Sequence, residues 1–195
     1  RRANLCEPEF CNKAQAGHEE DIRPCIGCLR CLNGIMFGKR VACTVNPSLE
    51  PENEDTITPA KETKNVLVIG GGPAGMEAAY VAAKRGHHVV LADRQDSLGG
   101  TVRIAAVPIA KQDLTQLIKY QAHKLEQAGV KVLLNTEVTL ETIQKDYPDY
   151  EVILCAGATP VVPQFMTQFK DWMTADDVLY GRKFPGRKIV VIGGG

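Results

Sequence analysis

The chain has 195 residues, 44% of them apolar and 24% charged, which is the ordinary range for a globular protein with one real core or two. Lysine plus arginine and aspartate plus glutamate balance at 23 each, so no net positive field draws a phosphate backbone or an anionic membrane, which argues against nucleic acid as a partner. The most apolar stretch, Val66 to Ala83, is broken by Gly70, Gly71, Gly72, Pro73, Gly75 and Glu77 and does not read as a membrane span, and no signal peptide opens the chain.

Seven cysteines without a secretory signal argue against a disulfide framework and for a reducing, cytoplasmic setting. The chain opens on Arg1-Arg2 and stops at Gly193-Gly194-Gly195, where a glycine loop should turn into a helix. The expectation is a piece of a longer polypeptide.

Residues 1–47 are rich in Cys and Pro and lack a long periodic segment. Within them stands Cys25-x2-Cys28-x2-Cys31-x11-Cys43. Three cysteines at three-residue steps can wrap a tight loop whose sulfurs converge, and the fourth closes the coordination from beyond a hairpin-sized insert. Thiolates suit both zinc and iron–sulfur clusters. Zinc sites usually come as two separated CxxC pairs, whereas a triplet plus a distant cysteine is more typical of a 4Fe–4S cluster. Cys6, Cys11 and Cys155 read as packing thiols. Residues 48–64 form a linker, with Glu50, Glu52, Glu54, Asp55 and Glu62 among prolines and threonines.

From Asn65 the pattern changes. Val66–Ile69 is a short β-branched run bounded by glycines, as in a buried parallel strand. A helix over Pro73–Arg85, capped by Gly86, and a strand over His88–Ala92 complete a βαβ unit. A second helix is predicted from about Asp113 to Ala128, with Leu114, Leu117, Ile118 and Leu125 on one face and Gly129 as its stop. Lys131–Leu134, Glu151–Cys155 and Lys188–Ile192 read as further strands. The last repeats the first strand's pattern and is followed by the same glycines.

The first glycine loop is Gly70-x-Gly72-x-x-Gly75, with Asp93 placed 23 residues after Gly70. Gly70 allows the tight turn, Gly72 lets backbone approach a pyrophosphate, and Gly75 permits close helix–strand contact. The helix N-terminus offers free N–H groups to the phosphates, and a carboxylate at Asp93 can accept from ribose hydroxyls. This motif accepts FAD or NAD equally, since both present the same ADP half. The second loop, at Gly193 and Gly195, would serve a nicotinamide nucleotide. His18, His87, His88 and His123 have no spacing that suggests a metal site or a triad. No substrate chemistry stands out.

These motifs resemble the iron–sulfur flavoproteins built on an old-yellow-enzyme-like barrel, a family that includes 2-enoate reductase, 2,4-dienoyl-CoA reductase and trimethylamine dehydrogenase. Arg23–Cys28, Cys31 and Cys43–Pro47 look like its cluster loop, which makes Cys25, Cys28, Cys31 and Cys43 the ligands of a 4Fe–4S cluster. Arg2–Ala14 is similar to the segment closing its FMN barrel, where the arginine matched by Arg2 contacts the FMN phosphate. Val66–Gly75, Leu98-Gly99-Gly100, Arg103 and Leu154–Pro160 are similar to its FAD domain, with Cys155-Ala156 in place of the commoner Ala-Thr. The resemblance thus assigns FAD contacts to Gly70, Gly72, Pro73, Ala74, Gly75, Asp93, Arg94, Gly99, Gly100, Arg103, Ala156 and Gly157.

The implied fold is α/β: the C-terminal end of a (β/α)8 barrel and its cluster loop (1–47), the linker, a Rossmann-like FAD-binding domain (65–187), and the truncated start of an NAD(P)H-binding domain (188–195). The implied activity is reduction of an activated C=C bond in a small molecule of 2-enoate or 2,4-dienoyl-CoA type. Electrons would run from NADH or NADPH through FAD and the cluster to FMN. An amine dehydrogenase running electrons the other way, and a non-catalytic electron-transfer module, stay open as alternatives. Some members of the family hold only ADP in the first site. The resemblance leaves homo-oligomerisation open and places the catalytic residues in the barrel, so these 195 residues alone are expected to be inactive.

Overall fold

The computed structural model describes residues 2–49 and 57–193. Most of the acidic part of the linker and Gly195 of the second glycine loop fall outside these residues. Short helices α1 (Arg2–Cys6), α2 (Phe10–Gln15) and α3 (Arg30–Met36) make up the cysteine-rich part. The α/β domain then runs β1 (Asn65–Ile69), α4 (Pro73–Lys84), β2 (His88–Ala92), α5 (Thr101–Ala105), α6 (Leu114–Gln127), β3 (Lys131–Leu133), α7 (Leu140–Asp146), β4 (Tyr150–Leu154) and α8 (Ala175–Leu179).

The four strands form one parallel sheet in the order β3-β2-β1-β4. Val66 lies opposite Val89 on one side and Glu151 on the other. The central strand must be apolar on both faces, because parallel crossovers put helices above and below it. Val66 and Val68 accordingly pack with Met76, Ala79, Val89, Leu91 and Leu125 under α4 and α6. Leu67, Val90 and Ala92 face the other way, against Ile143 of α7 and Tyr147, which follows it. Leu67, Val68 and Leu91 are fully buried.

Helix α6 ends where Gly129, at φ +71°, leaves the right-handed region, as its position predicts. The run Lys188–Ile192 corrects the sequence reading: it forms no strand, and Ile189 to Ile192 are exposed. A strand is a property of a pair, and no neighbouring strand is provided for this run among the described residues. Cys11 is also exposed and does not pack, whereas Cys6 is buried and Cys155 packs against the core.

The cysteine-rich part rests on α6. Asp21 Oδ1 accepts from Gln127 Nε2 at 2.8 Å and stands 3.1 Å from His123 Nε2. The Gln127 bond and the His123 contact hold the Asp21 carboxyl below its ordinary range. The Arg23 guanidinium sits 5.9 Å from the centre of the Tyr120 ring.

Candidate functional site: a glycine-lined groove and a four-cysteine loop

A groove of about 700 Å³ opens at the carboxyl ends of β1, β2 and β4, where doubly wound sheets bind ligands. Its floor is backbone. Gly70, at φ +111°, turns the chain so tightly that a Cβ there would overlap the Cys155 carbonyl oxygen. Gly99 donates from its N–H to the Gly71 carbonyl at 2.8 Å, which lays the second glycine turn across the first. A Cβ on Gly100 would stand 3.0 Å from the Gly72 Cα. The result is a cradle floored by glycine backbone and open to an anionic group. Pro73 opens α4, and no side chain caps its N-terminus, so the amides of its first turn are left for a ligand.

The predicted residues divide into two groups. Gly70, Gly72, Pro73, Ala74, Asp93, Arg94, Gly100, Arg103, Ala156 and Gly157 line the groove. Gly75 and Gly99 do not: Gly75 lies against the Gly70 carbonyl, and Gly99 is buried against Ile118. Their part is to shape the cradle from behind. Asp93 is tied into the loop itself, since Oδ2 accepts from the Gly71 N–H and Oδ1 from the Gln95 N–H at 2.7 Å. Arg103 pairs with Asp96 at 3.2 Å. The hydrogen bond from Ser97, with the Arg103 charge behind it, lowers the Asp96 carboxyl.

Thr136, Glu137, Val138, Asp176 and Tyr180 also line the groove and escaped the sequence reading. They come from the loop after β3 and from the two ends of α8, and no spacing links them to the glycine motif. Gly193 lies exposed at φ +94° and does not line the groove, and Gly195 is outside the described residues.

Cys25, Cys28, Cys31 and Cys43 are all free thiols. Cys28 is flanked by Gly27 at φ +66° and Leu29 at φ +60°, two left-handed residues that curl the loop around its sulfur. Cys31 falls in the first turn of α3, a helix the spacing did not suggest. The Thr44 hydroxyl is 3.1 Å from the Cys28 sulfur. Burial pushes the Cys28 thiol up, but bonds from Thr44 and from the backbone N–H groups of Arg30, Cys28 and Thr44 bring it below its ordinary value. N–H groups aimed at a cysteine sulfur suit a thiolate ligand and tune a cluster it holds. Among the described residues no group of three or more His, Cys, Asp or Glu closes around a single ion. Cys6 stands apart in character, its thiol pushed up to about 12 by burial and by its neighbours Cys43 and Cys25.

Fold and groove together define a dinucleotide-binding domain of oxidoreductase type. The chain belongs to the pyridine nucleotide-disulphide oxidoreductase family, whose model matches residues 64–195. Family membership implies FAD and NAD(P)H as cofactors. A metal reductase of Desulforamulus reducens is 37% identical over 100% of this chain and 30% of its own length. A cinnamate reductase of Clostridium sporogenes is 37% identical over 100% of this chain and 29% of its own. Among solved structures, a 2-naphthoyl-CoA reductase in complex with 2-naphthoyl-CoA superposes with a TM-score of 0.88 at 32% identity, over 95% of this chain and 28% of that one. The chain therefore spans about 30% of the length of the curated relatives it matches. No helix among the described residues is long and apolar enough to cross a membrane.

Proposed function

We propose that this chain is the electron-entry segment of a flavin- and iron–sulfur-dependent NAD(P)H oxidoreductase that reduces an activated C=C bond in a small-molecule substrate. The observation that carries this reading is the joining, in one chain, of a dinucleotide groove floored by glycine backbone to a loop of four free cysteines, of which Cys28 takes backbone N–H bonds at its sulfur. The groove residues fit FAD: Gly72, Ala74 and Gly157 leave room for a pyrophosphate, and Asp93 braces the loop while offering its remaining lone pairs to a ribose. Cys25, Cys28, Cys31 and Cys43 fit the thiolate set of a 4Fe–4S cluster. Arg2, exposed at the start of α1, is free to meet the phosphate of an FMN held by a barrel outside this segment. Gly193 and Gly195 would open the NAD(P)H site.

When bound, these groups supply two-electron exchange with a nicotinamide and one-electron relay between flavins. The work of this chain is to bind and orient them. The first-turn amides of α4 would donate to the pyrophosphate, and the loop carries the four thiols that would ligate the cluster. Asp21, through Gln127 and His123, ties the cysteine-rich part to α6.

The test is an anaerobic assay of the full-length enzyme with NADH and a panel of 2-enoates, their CoA thioesters and secondary amines. NADH-dependent saturation of an enoate or enoyl thioester is expected. Oxidation of an amine with no enoate turnover would instead make it an amine dehydrogenase. Electron delivery to a separate protein alone would make it a transfer module.

A further inference from the structure

Two side chains that neither line the groove nor carry sulfur, the half-buried Arg23 and the buried Asn46, meet at the base of the cysteine loop. Arg23 lies two residues before Cys25, and Asn46 three residues after Cys43. Arg23 Nη1 donates to Asn46 Oδ1 at 2.7 Å, joining the two stems of the loop. The Asn46 oxygen also accepts from the Ser48 N–H at 3.2 Å, and its amide donates to the Leu5 carbonyl at 3.0 Å. Asn46 is 1% exposed, so each of these bonds replaces water that cannot reach it.

The Arg23 backbone is held as firmly. Its N–H donates to Glu7 Oε2 at 3.2 Å and its carbonyl accepts from the Cys6 thiol at 3.4 Å. Glu7, itself buried, is neutralised by Lys13 at 2.7 Å. The far side of the guanidinium faces Tyr120 on α6. The Arg23–Asn46 bond thus joins the two stems of the loop, and the same guanidinium stacks on Tyr120 of α6.

We propose that Arg23 and Asn46 are positioning residues for the iron–sulfur cluster: their hydrogen bond clamps the stems carrying Cys25 and Cys43 and indexes the loop against α6. This rests on the cluster reading above. Four thiolates brought together repel one another and must be ordered at an entropic cost. A clamp made before the cluster arrives lowers that cost, and opening the loop to release iron requires breaking it. Because the bond has a charged donor and a buried acceptor, its loss is expected to speed iron release by about tenfold or more.

The experiment uses the full-length holoenzyme, prepared anaerobically. Iron and acid-labile sulfide are counted in the unaltered protein first. Zinc without sulfide there would sink the cluster reading, and this inference with it. With the cluster present, Asn46→Ala and Arg23→Ala are expected to give up iron to a ferrous chelator about tenfold faster. The electron paramagnetic resonance spectrum of the reduced cluster is expected to change, while FAD content stays the same. Arg23→Lys keeps the charge without the planar fork and should fall between. Should the alanine variants fail to fold, Arg23→Lys is compared with Asn46→Asp, which keeps an acceptor for Arg23 and should release iron more slowly than Arg23→Lys. Unaltered release and spectra in all the variants that fold would overturn the proposal. Equal losses of FAD, iron and thermal stability would overturn it too, since they would mean a general structural role.

Discussion

Gly75 lies so close to the carbonyl oxygen of Gly70 that a methyl group on it would overlap that oxygen, and would stand 3.3 Å from Cys155 Cβ as well. The contact locks the first turn of α4 against β1 and β4, and it fixes where the groove floor lies. Neither glycine is a spacer. Each is required because backbone occupies the place of its side chain.

The first prediction follows from a contrast between two glycines. Gly75→Ala must push α4 off the sheet, costing about 1–3 kcal/mol of stability as overpacking does, and it should abolish FAD retention. Gly86 sits at φ +93° with nothing within 4 Å of its missing side chain. Gly86→Ala should therefore cost about 1–2 kcal/mol of backbone strain and leave FAD content intact. Cofactor extraction after purification separates the two. Equal FAD content in both variants would show that the Gly70–Gly75 contact does not shape the site.

Asp93 supplies the second. Its carboxylate accepts from the Gly71 N–H and the Gln95 N–H, so it braces the glycine loop from beneath as well as facing the groove. Asp93→Ala in the intact enzyme is expected to lower FAD occupancy by about tenfold, the worth of a charge-assisted bond, while iron and FMN stay unchanged. Asp93→Asn keeps one acceptor and should lose less. FMN extracted from the wild type together with ADP, and no FAD, would reassign the site to a bare nucleotide.

The βαβ unit was legible in the sequence because its signals agree at every level: a β-branched run, glycines at the turn, a small-residue helix and a second run. The roles of Gly70 and Gly75 follow from that pattern alone. What escaped was everything made by distant segments meeting. Thr136 and Tyr180 reach the groove from loops 44 residues apart in the chain, and nothing in either segment marks it as a wall. Helix α3 starts at a left-handed Leu29 with no capping side chain, so no start signal precedes it. The Lys188–Ile192 run shows the opposite failure, since its composition suits a strand, yet no strand among the described residues pairs with it. Arg23 and Asn46 stand 23 residues apart, and only the fold shows that they touch.

The third prediction is that the anaerobic full-length protein carries four irons and four sulfides on Cys25, Cys28, Cys31 and Cys43. Replacing any one by alanine should cost most of the iron, because a cluster missing a thiolate exposes an iron to water and chelators. Cys6→Ala should keep the iron, as its thiol already donates to the Arg23 carbonyl. Stoichiometric zinc without sulfide in the unaltered protein would overturn the cluster.

The last prediction concerns acid. Burial raises the Glu7 carboxyl, but the Lys13 bond and the N–H groups of Arg23 and Glu9 outweigh it and hold the group below its ordinary value of 4.5. A carboxyl depressed in the folded state adds stability that is fully present above its unfolded value and disappears as pH falls through the folded one. The cysteine-rich segment should thus loosen from α6 as pH drops below 4.5, while the sheet, with no such group in its core, holds longer. Glu7→Gln keeps the shape and removes the charge. It is expected to cost about 1–2 kcal/mol at neutral pH and to flatten the acid side of the profile. Hydrogen exchange of the amides in α1 and α2, followed from neutral pH down to the carboxylate range, reads that loosening directly. Identical exchange in both proteins across that range would mean that Glu7 does not hold the segment in place.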